Sequence, residues 1–229
     1  MKNRRPASEL EPKARALKII ALLEKEYTRA KIALNYSNPV ELLVATILSA
    51  QVTDKKVNEV TKTLFKKYRK AEDYAQADLK QLEQEIKSTG FYHNKAKNIK
   101  AACQLLVEKY DSNVPKTMGE ILELPGVARK TANIVLANAY GVVEGIAVDT
   151  HVRRTSKRLG LTVNLDPNKI EQDLMKMIPR DKWIKITDLL IALGRDVCVA
   201  RSPKCEVCVL NQICPSAFTF PDQQLKTGI

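Results

Sequence analysis

The chain has 229 residues, of which 45% are hydrophobic and 28% are charged. This is the composition of an ordinary globular protein, which excludes an intrinsically disordered or collagen-like chain. The longest apolar run, residues 40–50, contains Glu41 and falls well short of the ~20 residues that a membrane span requires.

The 38 lysines and arginines exceed the 26 aspartates and glutamates, which gives a formal charge of +12. This excess fits either a well-solvated basic surface or a polyanionic partner, because basic residues that neutralise phosphates release counterions. The N-terminal segment is basic but lacks the uninterrupted apolar stretch of a signal peptide, since Lys18 lies within it. We therefore expect a soluble cytoplasmic protein with no membrane attachment.

The hydrophobic periodicity is helical almost throughout the chain. Four segments carry an apolar face at helical spacing: 17–27, 57–68, 79–86 and 99–106. Gly90 is typical of a helix terminator, and Asn38-Pro39 and Asp166-Pro167 predict helix starts with proline at the first helical position. Only 145–148 alternates in the manner of a strand. An all-α fold of about ten short helices is predicted.

The segment 122–136, LELPGVARKTANIVL, predicts two helices joined by a tight turn. The first helix is expected to end near Leu124, Pro125-Gly126 turns the chain, and the second helix begins around Arg129. Gly126 can adopt a positive φ, and the free N–H groups at the start of the second helix can bind a phosphate oxygen. The pattern favours a helix–hairpin–helix that holds the DNA backbone, and the alternative is an ordinary turn between helices.

Lys130 and Asp149 are candidates for chemistry. A lysine in a first helical turn is usually a solvated surface charge, but the helix dipole and neighbouring Arg129 favour the neutral amine that a nucleophile needs. Asp149 lies in the segment VDTH, where either it or Thr150 caps the helix that carries Val152. The alternative is a carboxylate that faces Lys130 and stabilises a cationic sugar or moves a proton.

Four of the five cysteines lie close together with the spacing C-x6-C-x2-C-x5-C: Cys198, Cys205, Cys208 and Cys214. Disulfides are not expected in a reducing compartment, so this cluster indicates a metal site. Zinc commonly takes four thiolates but usually from two C-x2-C pairs, and a four-iron cluster tolerates irregular spacing. The spacing modestly favours iron. The fifth cysteine, Cys103, is predicted to be a core residue.

Three features together resemble the endonuclease III family of DNA glycosylases: LPGVARKTAN, VDTH with Asp149 19 residues after Lys130, and the four-cysteine spacing. LLVATILSAQVTDKKVN at 42–58 is similar to that family's early helix and glutamine-containing loop. The resemblance, over about 15–216, implies a two-lobed all-α helix–hairpin–helix DNA glycosylase fold. A six-helix lobe over 32–143 is expected to carry the hairpin. The other lobe, 1–31 plus 144–229, is expected to carry a [4Fe–4S] cluster on its four cysteines.

The resemblance also implies a function in base excision repair. The family excises oxidised pyrimidines and then nicks the abasic strand, which makes it a bifunctional DNA glycosylase and AP lyase. Carried over by position, Lys130 would form a Schiff base that leads to β-elimination, with Asp149 as its carboxylate partner. Gln51 would enter the gap left by the extruded nucleotide, or else serve as a polar helix C-cap.

Further contacts with DNA are expected from the hairpin and from His151, for which a plain helix-surface position is the alternative. The hairpin residues concerned are Leu124, Pro125, Gly126, Val127, Ala128, Arg129 and Thr131. The expected partner is double-stranded DNA with a damaged base or an abasic site. We expect the protein to be a monomer associated with the nucleoid.

The sequence departs from the family pattern at one residue of the hairpin, and its motifs also leave two alternative functions open. Ala128 stands where the family's hairpin usually has a second glycine, and it would be strained if the backbone there required a positive φ. A non-catalytic DNA-binding module would have no reason to pair Lys130 with Asp149. A monofunctional glycosylase acting on mismatches or alkylated bases would leave its product strand intact until alkali treatment.

Overall fold

The computed structural model describes residues 11–220, and within this range the backbone forms helices and no strand. The expectations for the N-terminal segment before residue 11 and for the chain after residue 220 lie outside the described residues. The α-helices of the described part are α1 (Pro12–Glu26), α2 (Pro39–Leu48), α3 (Asp54–Lys67), α4 (Ala71–Gln76), α5 (Leu79–Ile86), α6 (Tyr92–Lys109), α7 (Met118–Ile121), α8 (Arg129–Tyr140), α9 (Thr150–Arg158), α10 (Pro167–Met177) and α11 (Trp183–Asp196). The predicted all-α fold is confirmed.

Side chains at the helix ends explain several of these boundaries. The Asn38 side chain accepts a hydrogen bond from the Glu41 N–H at the start of α2, and Asp166 accepts one from Lys169 at the start of α10. Each of these helices has proline at its first position, as predicted. After α5 a 3₁₀ turn over Lys87–Thr89 leads to Gly90, whose φ of +64° is readily adopted only by glycine.

The described chain divides into two compact units. One is continuous and comprises Ile32–Glu144, and we call it the central unit. The other, the terminal unit, combines residues 11–31 with residues 145–220. Each unit has its own hydrophobic core, so each is described separately below.

The central unit is built around α2. Every residue of this helix from Val40 to Leu48 is buried, as expected for a helix that is apolar on all sides. The core around it includes Cys103, which is 1% exposed, so the prediction of a core cysteine is confirmed. Burial, assisted by the negative charge of Glu72, raises the pKa of the Cys103 thiol to about 12. This thiol is therefore an inert packing group.

The terminal unit packs α1, α9, α10 and α11 around a second core, to which Ile19, Val152, Ile170 and Leu189 belong. The segment after α11, which carries the four clustered cysteines, is anchored in the same core by Leu210 and Ile213. Of the helices that the structure describes, none is long and apolar enough to cross a membrane.

Candidate active site and cysteine pocket

The predicted hairpin lies in the central unit between α7 and α8. The Val127 N–H donates to the Leu124 carbonyl at 3.1 Å, with Pro125 and Gly126 at the two middle positions of the turn. Proline followed by a positive-φ glycine is typical of a type II turn. The helix α8 begins at Arg129 as predicted, but α7 ends at Ile121 rather than near Leu124. The α-helical pattern ends earlier because the Leu124 N–H donates to the Ile121 carbonyl, three residues before it, rather than to the carbonyl four residues before it.

Glycine is required at position 126 for two reasons. Its φ is +78°, and a Cβ atom built there would lie 2.8 Å from Cβ of Asn98 on α6. Any side chain would therefore be strained and would also collide with a neighbouring helix. The turn is held from inside by Leu124 and Val127, which are buried, so these two members of the predicted DNA-contact set serve mainly as its anchors.

Ala128 is not strained. It is the N-cap residue of α8 and has φ −98° and ψ 170°, which is ordinary extended backbone. The second glycine of the family pattern is therefore not needed for conformational reasons in this chain. Because alanine has no side-chain oxygen, the first-turn N–H groups of α8 have no capping acceptor. The N–H groups of Lys130 and Thr131 remain available to an anion, and Ala128 itself is exposed.

Lys130 is the second residue of α8 and its side chain is exposed. Within residues 11–220 its ammonium group makes no hydrogen bond and no ion pair. A surface lysine without an internal partner at an uncapped helix start adds little to the stability of the fold. Its amine is therefore free to meet a substrate, as the nucleophile hypothesis requires.

Asp149 is the N-cap of α9 in the terminal unit. Its Oδ1 accepts a hydrogen bond from the Val152 N–H at 2.7 Å, so the capping interpretation is confirmed for Asp149 rather than for Thr150. Its other carboxylate oxygen makes no hydrogen bond within the described residues. The half-buried side chain is thus fixed through one oxygen while the second is left open. Capping and a catalytic role are compatible in this arrangement.

His151 is half-buried and faces α11. Its Nδ1 lies 3.2 Å from Nη2 of Arg154, and since arginine only donates, Nδ1 is the acceptor. Burial lowers the pKa of His151 below its usual value, the charges of Arg154 and Arg195 lower it further, and Asp149 opposes them. The lowered pKa favours the neutral imidazole at neutral pH. Gly194 makes room for the ring, because a Cβ atom there would lie 3.1 Å from Nδ1.

Gln51 is exposed in the turn after α2, with a φ of 58°. The structure does not support the helix C-cap alternative, because α2 ends at Leu48 and Ser49 occupies the cap position. The Gln51 side chain makes no hydrogen bond within the described residues. A polar side chain held in a left-handed backbone without an internal partner is a candidate for contact with a ligand.

Sequence reasoning missed a second residue of this kind, Phe91. It is 66% exposed with a φ of 49°, and it lies at the N-terminal boundary of α6, where no side chain caps the helix. The sequence signal was present, since an aromatic residue directly follows Gly90 at a predicted helix end. Nothing in the periodicity, however, indicates that the ring faces solvent.

The four clustered cysteines line one pocket in the terminal unit. Its apolar walls include Leu159, Leu193 and Val197. A single tetrahedral zinc ion holds its four sulfurs only about 3.8 Å apart, and no three cysteine, histidine or acidic side chains among residues 11–220 converge closely enough for one metal ion. Four thiols that line one pocket without converging on a single point fit a polynuclear group better.

Protonation and hydrogen bonding at the cysteines are consistent with a bound metal group. Burial raises the pKa of Cys214 to about 11 and raises that of Cys208 as well. These thiols therefore keep their protons until a positively charged metal centre displaces them. Nη1 of Arg158 lies 3.4 Å from Cys198 Sγ, where its N–H can donate to the thiolate form.

Two arginines of α9, which the sequence did not single out, hold the start of the cysteine segment. Arg154 donates to the carbonyls of Gly194 and Cys198 at 2.7 and 3.1 Å. Arg158 donates to the carbonyls of Val199 and Ala200 at 2.7 and 2.9 Å. The C-terminal half of α9, the helix that Asp149 caps, is thus hydrogen-bonded to the cysteine segment.

An all-α chain with a helix–hairpin–helix and a four-cysteine pocket defines the class of helix–hairpin–helix DNA repair proteins with an iron–sulfur cluster. Residues 44–180 match the family model described as "HhH-GPD superfamily base excision DNA repair protein". Residues 198–214 match the iron–sulfur binding domain of endonuclease III.

The chain belongs to the endonuclease III family. It is 54% identical over 205 residues to endonuclease III of Synechocystis, which covers 90% of this chain and 94% of that protein. It is 48% identical over 189 residues to endonuclease III of Bacillus subtilis, which covers 82% of this chain and 86% of that protein.

Two solved structures of endonuclease III bound to DNA are also similar to this chain. One is a trapped covalent intermediate, with 44% identity and a TM-score of 0.86, covering 91% of this chain and 98% of that chain. The other is a non-covalent complex, with 42% identity and a TM-score of 0.87, covering 95% of this chain and all of that chain.

The resemblance drawn from the sequence is therefore confirmed, and with it the function that it implied. The protein is a base excision repair enzyme, a DNA glycosylase with AP lyase activity that acts on oxidised pyrimidines. Its cofactor is a [4Fe–4S] cluster, so the iron–sulfur alternative is confirmed and the zinc alternative is not. The alternatives of a non-catalytic module and of a monofunctional glycosylase are not supported.

Proposed function

We propose that Lys130 is the nucleophile of this enzyme and that Asp149 is its carboxylate partner, acting on one extruded nucleotide of double-stranded DNA. The observation that carries the proposal is the free ammonium group of Lys130, exposed in the first turn of a helix whose N-terminus has no cap. The same turn offers backbone N–H groups to the DNA and an amine to its sugar.

The hairpin binds the phosphate backbone in this proposal. Gly126 is exposed, which lets the DNA approach the backbone closely, and the uncapped N–H groups after Ala128 donate to a phosphate oxygen. The positive end of the α8 dipole adds to this attraction. Arg129 and Thr131 flank Lys130 on the same turn and complete the contact surface.

The reaction begins when the neutral amine of Lys130 attacks C1′ of the damaged nucleotide. The bond from C1′ to the base breaks, and the base leaves with the electron pair. A proton passes from the amine to the ring oxygen O4′, the C1′–O4′ bond breaks, and the opened sugar is left as an iminium ion. Removal of a C2′ proton allows β-elimination, which breaks the bond to the 3′ phosphate.

Asp149 acts through its open carboxylate oxygen. A negative charge held rigidly by the α9 cap stabilises the cationic sugar as the base departs, or accepts a proton from it. His151, two residues later, contacts the DNA with its imidazole ring. Gln51 fills the space that the extruded nucleotide vacates.

The four cysteines hold the [4Fe–4S] cluster in the terminal unit, which we equate with the discontinuous lobe expected from the sequence. These four thiolates would tie the segment 198–214 together when the cluster is bound. Arg154 and Arg158 hold the start of that segment by hydrogen bonds to its carbonyls. We further propose that the protein works as a monomer in the cytoplasm, on the DNA of the nucleoid.

Borohydride trapping on a duplex with a single abasic site tests the nucleophile. Borohydride reduces the iminium ion, so the wild-type protein is expected to give a covalent protein–DNA band, and Lys130→Ala is expected to give none. Lys80→Ala is the matched control, because Lys80 is also the exposed second residue of a helix, α5, but that helix is capped by Asp78. The control variant should trap as well as the wild type.

Other results of the same experiment would contradict the proposal. A band retained by Lys130→Ala would move the amine to another residue. A folded wild-type enzyme that cleaves an abasic strand without ever giving a band would exclude the Schiff base.

A further inference from the structure

Lys95, in the first turns of α6, is a buried lysine that the mechanism above does not use. Its side chain is only 5% exposed, and no carboxylate among the described residues pairs with it. Burial lowers the pKa of its amine to about 8. A buried charge without a counterion is costly, so its hydrogen bonds must offset the lost hydration.

Those hydrogen bonds go to two carbonyl groups that are far apart in the chain. The Lys95 Nζ donates to the Leu48 carbonyl at 2.8 Å and to the Thr89 carbonyl at 2.7 Å. Leu48 is the last residue of α2, so its carbonyl has no partner within the helix and lies at the negative end of the dipole. Thr89 ends the 3₁₀ turn before α6.

Each of these carbonyls lies just before an exposed residue with a left-handed backbone. Gln51 follows Leu48 by three residues and has a φ of 58°, and Phe91 follows Thr89 by two residues and has a φ of 49°. The backbone N–H of Lys95 also donates to the Phe91 carbonyl at 3.1 Å. Since both carbonyl oxygens contact one nitrogen atom, the two turns are neighbours held by a single side chain.

Left-handed backbone at residues other than glycine persists only where the surroundings hold it in place. Neither Gln51 nor Phe91 has a side-chain hydrogen bond that could do so within the described residues. A lysine suits this task because its thin stem fits between helices and its ammonium group carries several donors at one point. The hydrogen bonds of Lys95 therefore add a constraint that acts on both turns at once.

We propose that Lys95 is a positioning residue that locks the Gln51 and Phe91 turns together, so that both side chains meet the DNA at the extruded nucleotide as one unit. The amide of Gln51 occupies the vacated space, and the ring of Phe91 stacks on an adjacent base. The inference rests on the proposed role of Gln51, and it adds the clamp and the second side chain.

The test measures how strongly the full-length protein prefers a duplex containing a tetrahydrofuran abasic analogue over the same duplex without it. Lys95→Met keeps the length of the side chain and removes its donors. We expect the preference to fall about tenfold, because two buried carbonyls lose their partner and the turns relax. Affinity for the undamaged duplex should not change, since the hairpin contacts are intact.

Lys100→Met is the matched control. Lys100 lies on the same helix, is partly buried, and donates through Nζ to the Ala77 carbonyl at 2.6 Å, away from both turns. This variant should keep the wild-type preference. An unchanged preference in a folded Lys95→Met protein, or an equal loss in Lys100→Met, would overturn the proposal.

A double-mutant cycle of Gln51 and Phe91, made with Lys95 intact, tests whether the two side chains act as one unit even if Lys95→Met fails to fold. Gln51→Ala and Phe91→Ala both truncate exposed side chains, so both variants should fold. If the two residues act as one unit, the combined loss of preference is smaller than the sum of the single losses, and strictly additive losses would reject the clamp. If Gln51→Ala alone has no effect, the proposed role of Gln51 fails and the inference fails with it.

Discussion

The helices α8 and α9 follow one another in the chain, and their N-termini are built in opposite ways. The helix α8 begins after Ala128, which cannot cap it, and carries the unpaired Lys130 in its first turn. The helix α9 begins after Asp149, whose carboxylate caps it by accepting a hydrogen bond from the Val152 N–H at 2.7 Å. The N-terminus of α8 therefore has no capping side chain and presents a cation to the solvent. The N-terminus of α9 has a backbone donor paired with an anionic side chain.

This difference shows two ways in which a fold accommodates a functional residue. The N-terminus of α8 slightly lowers the stability of the fold, because an uncapped helix start with a lysine is mildly unfavourable without a ligand. At α9 one carboxylate serves both stability and function, since one oxygen caps the helix and the other is open. Variants that alter one of these properties at a time test the comparison.

The largest effect is expected at Asp149. Asparagine caps a helix as well as aspartate does but carries no charge. Asp149→Asn should therefore keep nearly the wild-type free energy of unfolding while single-turnover base excision slows by about 10²–10⁴-fold. Asp149→Ala should show the same loss of rate and lose about 1 kcal/mol of stability as well. If the asparagine variant excises at the wild-type rate, Asp149 is only a cap.

The far end of α9 is expected to give the next largest effect. Arg158→Met keeps the packing of the side chain but removes the hydrogen bonds to the carbonyls of Val199 and Ala200. Loss of these charged hydrogen bonds is worth about 2 kcal/mol, so the cluster should be released in urea about 30-fold faster. The absorbance at roughly 400 nm follows this loss.

Arg153→Met is the control for this measurement, because Arg153 is exposed on the same helix. Equal rates of cluster loss in the two variants would mean that Arg158 does not hold the cysteine segment.

The smallest effect is expected from giving α8 the cap that α9 already has. Ala128→Asp should stabilise the protein by about 1 kcal/mol because it satisfies the first-turn N–H groups and complements the dipole. The same carboxylate competes with the phosphate, so affinity for duplex DNA should fall about fivefold. Thermal unfolding and fluorescence anisotropy measure the two changes.

Ala128→Asn separates capping from charge at this position. It should stabilise α8 to a similar extent but weaken DNA binding less. A gain in stability with no loss of affinity in Ala128→Asp would show that the α8 N-terminus does not bind the phosphate.

Much of the candidate site could be predicted from the sequence because its signals are local. The turn at Pro125-Gly126, the caps at Asn38 and Asp166 and the cysteine spacing each depend on residues a few positions apart. Hydrogen bonds that span three or four residues govern such features, so residue type and order suffice. The end of α7 was predicted three residues late, because helical and turn hydrogen bonds compete at a helix end.

The sequence by itself therefore determined the helical class, the family, the hairpin and the group of cysteines that we propose as the cluster ligands. Only the tertiary structure decided that Gly126 must pass close to Asn98, that Arg158 reaches a segment about 40 residues further on, and that Lys95 is buried between two turns. A single lysine or arginine looks the same in a sequence whether water or a carbonyl surrounds its charge. Tertiary packing decides whether the charge meets water or a carbonyl, because packing brings together groups that are far apart in the chain.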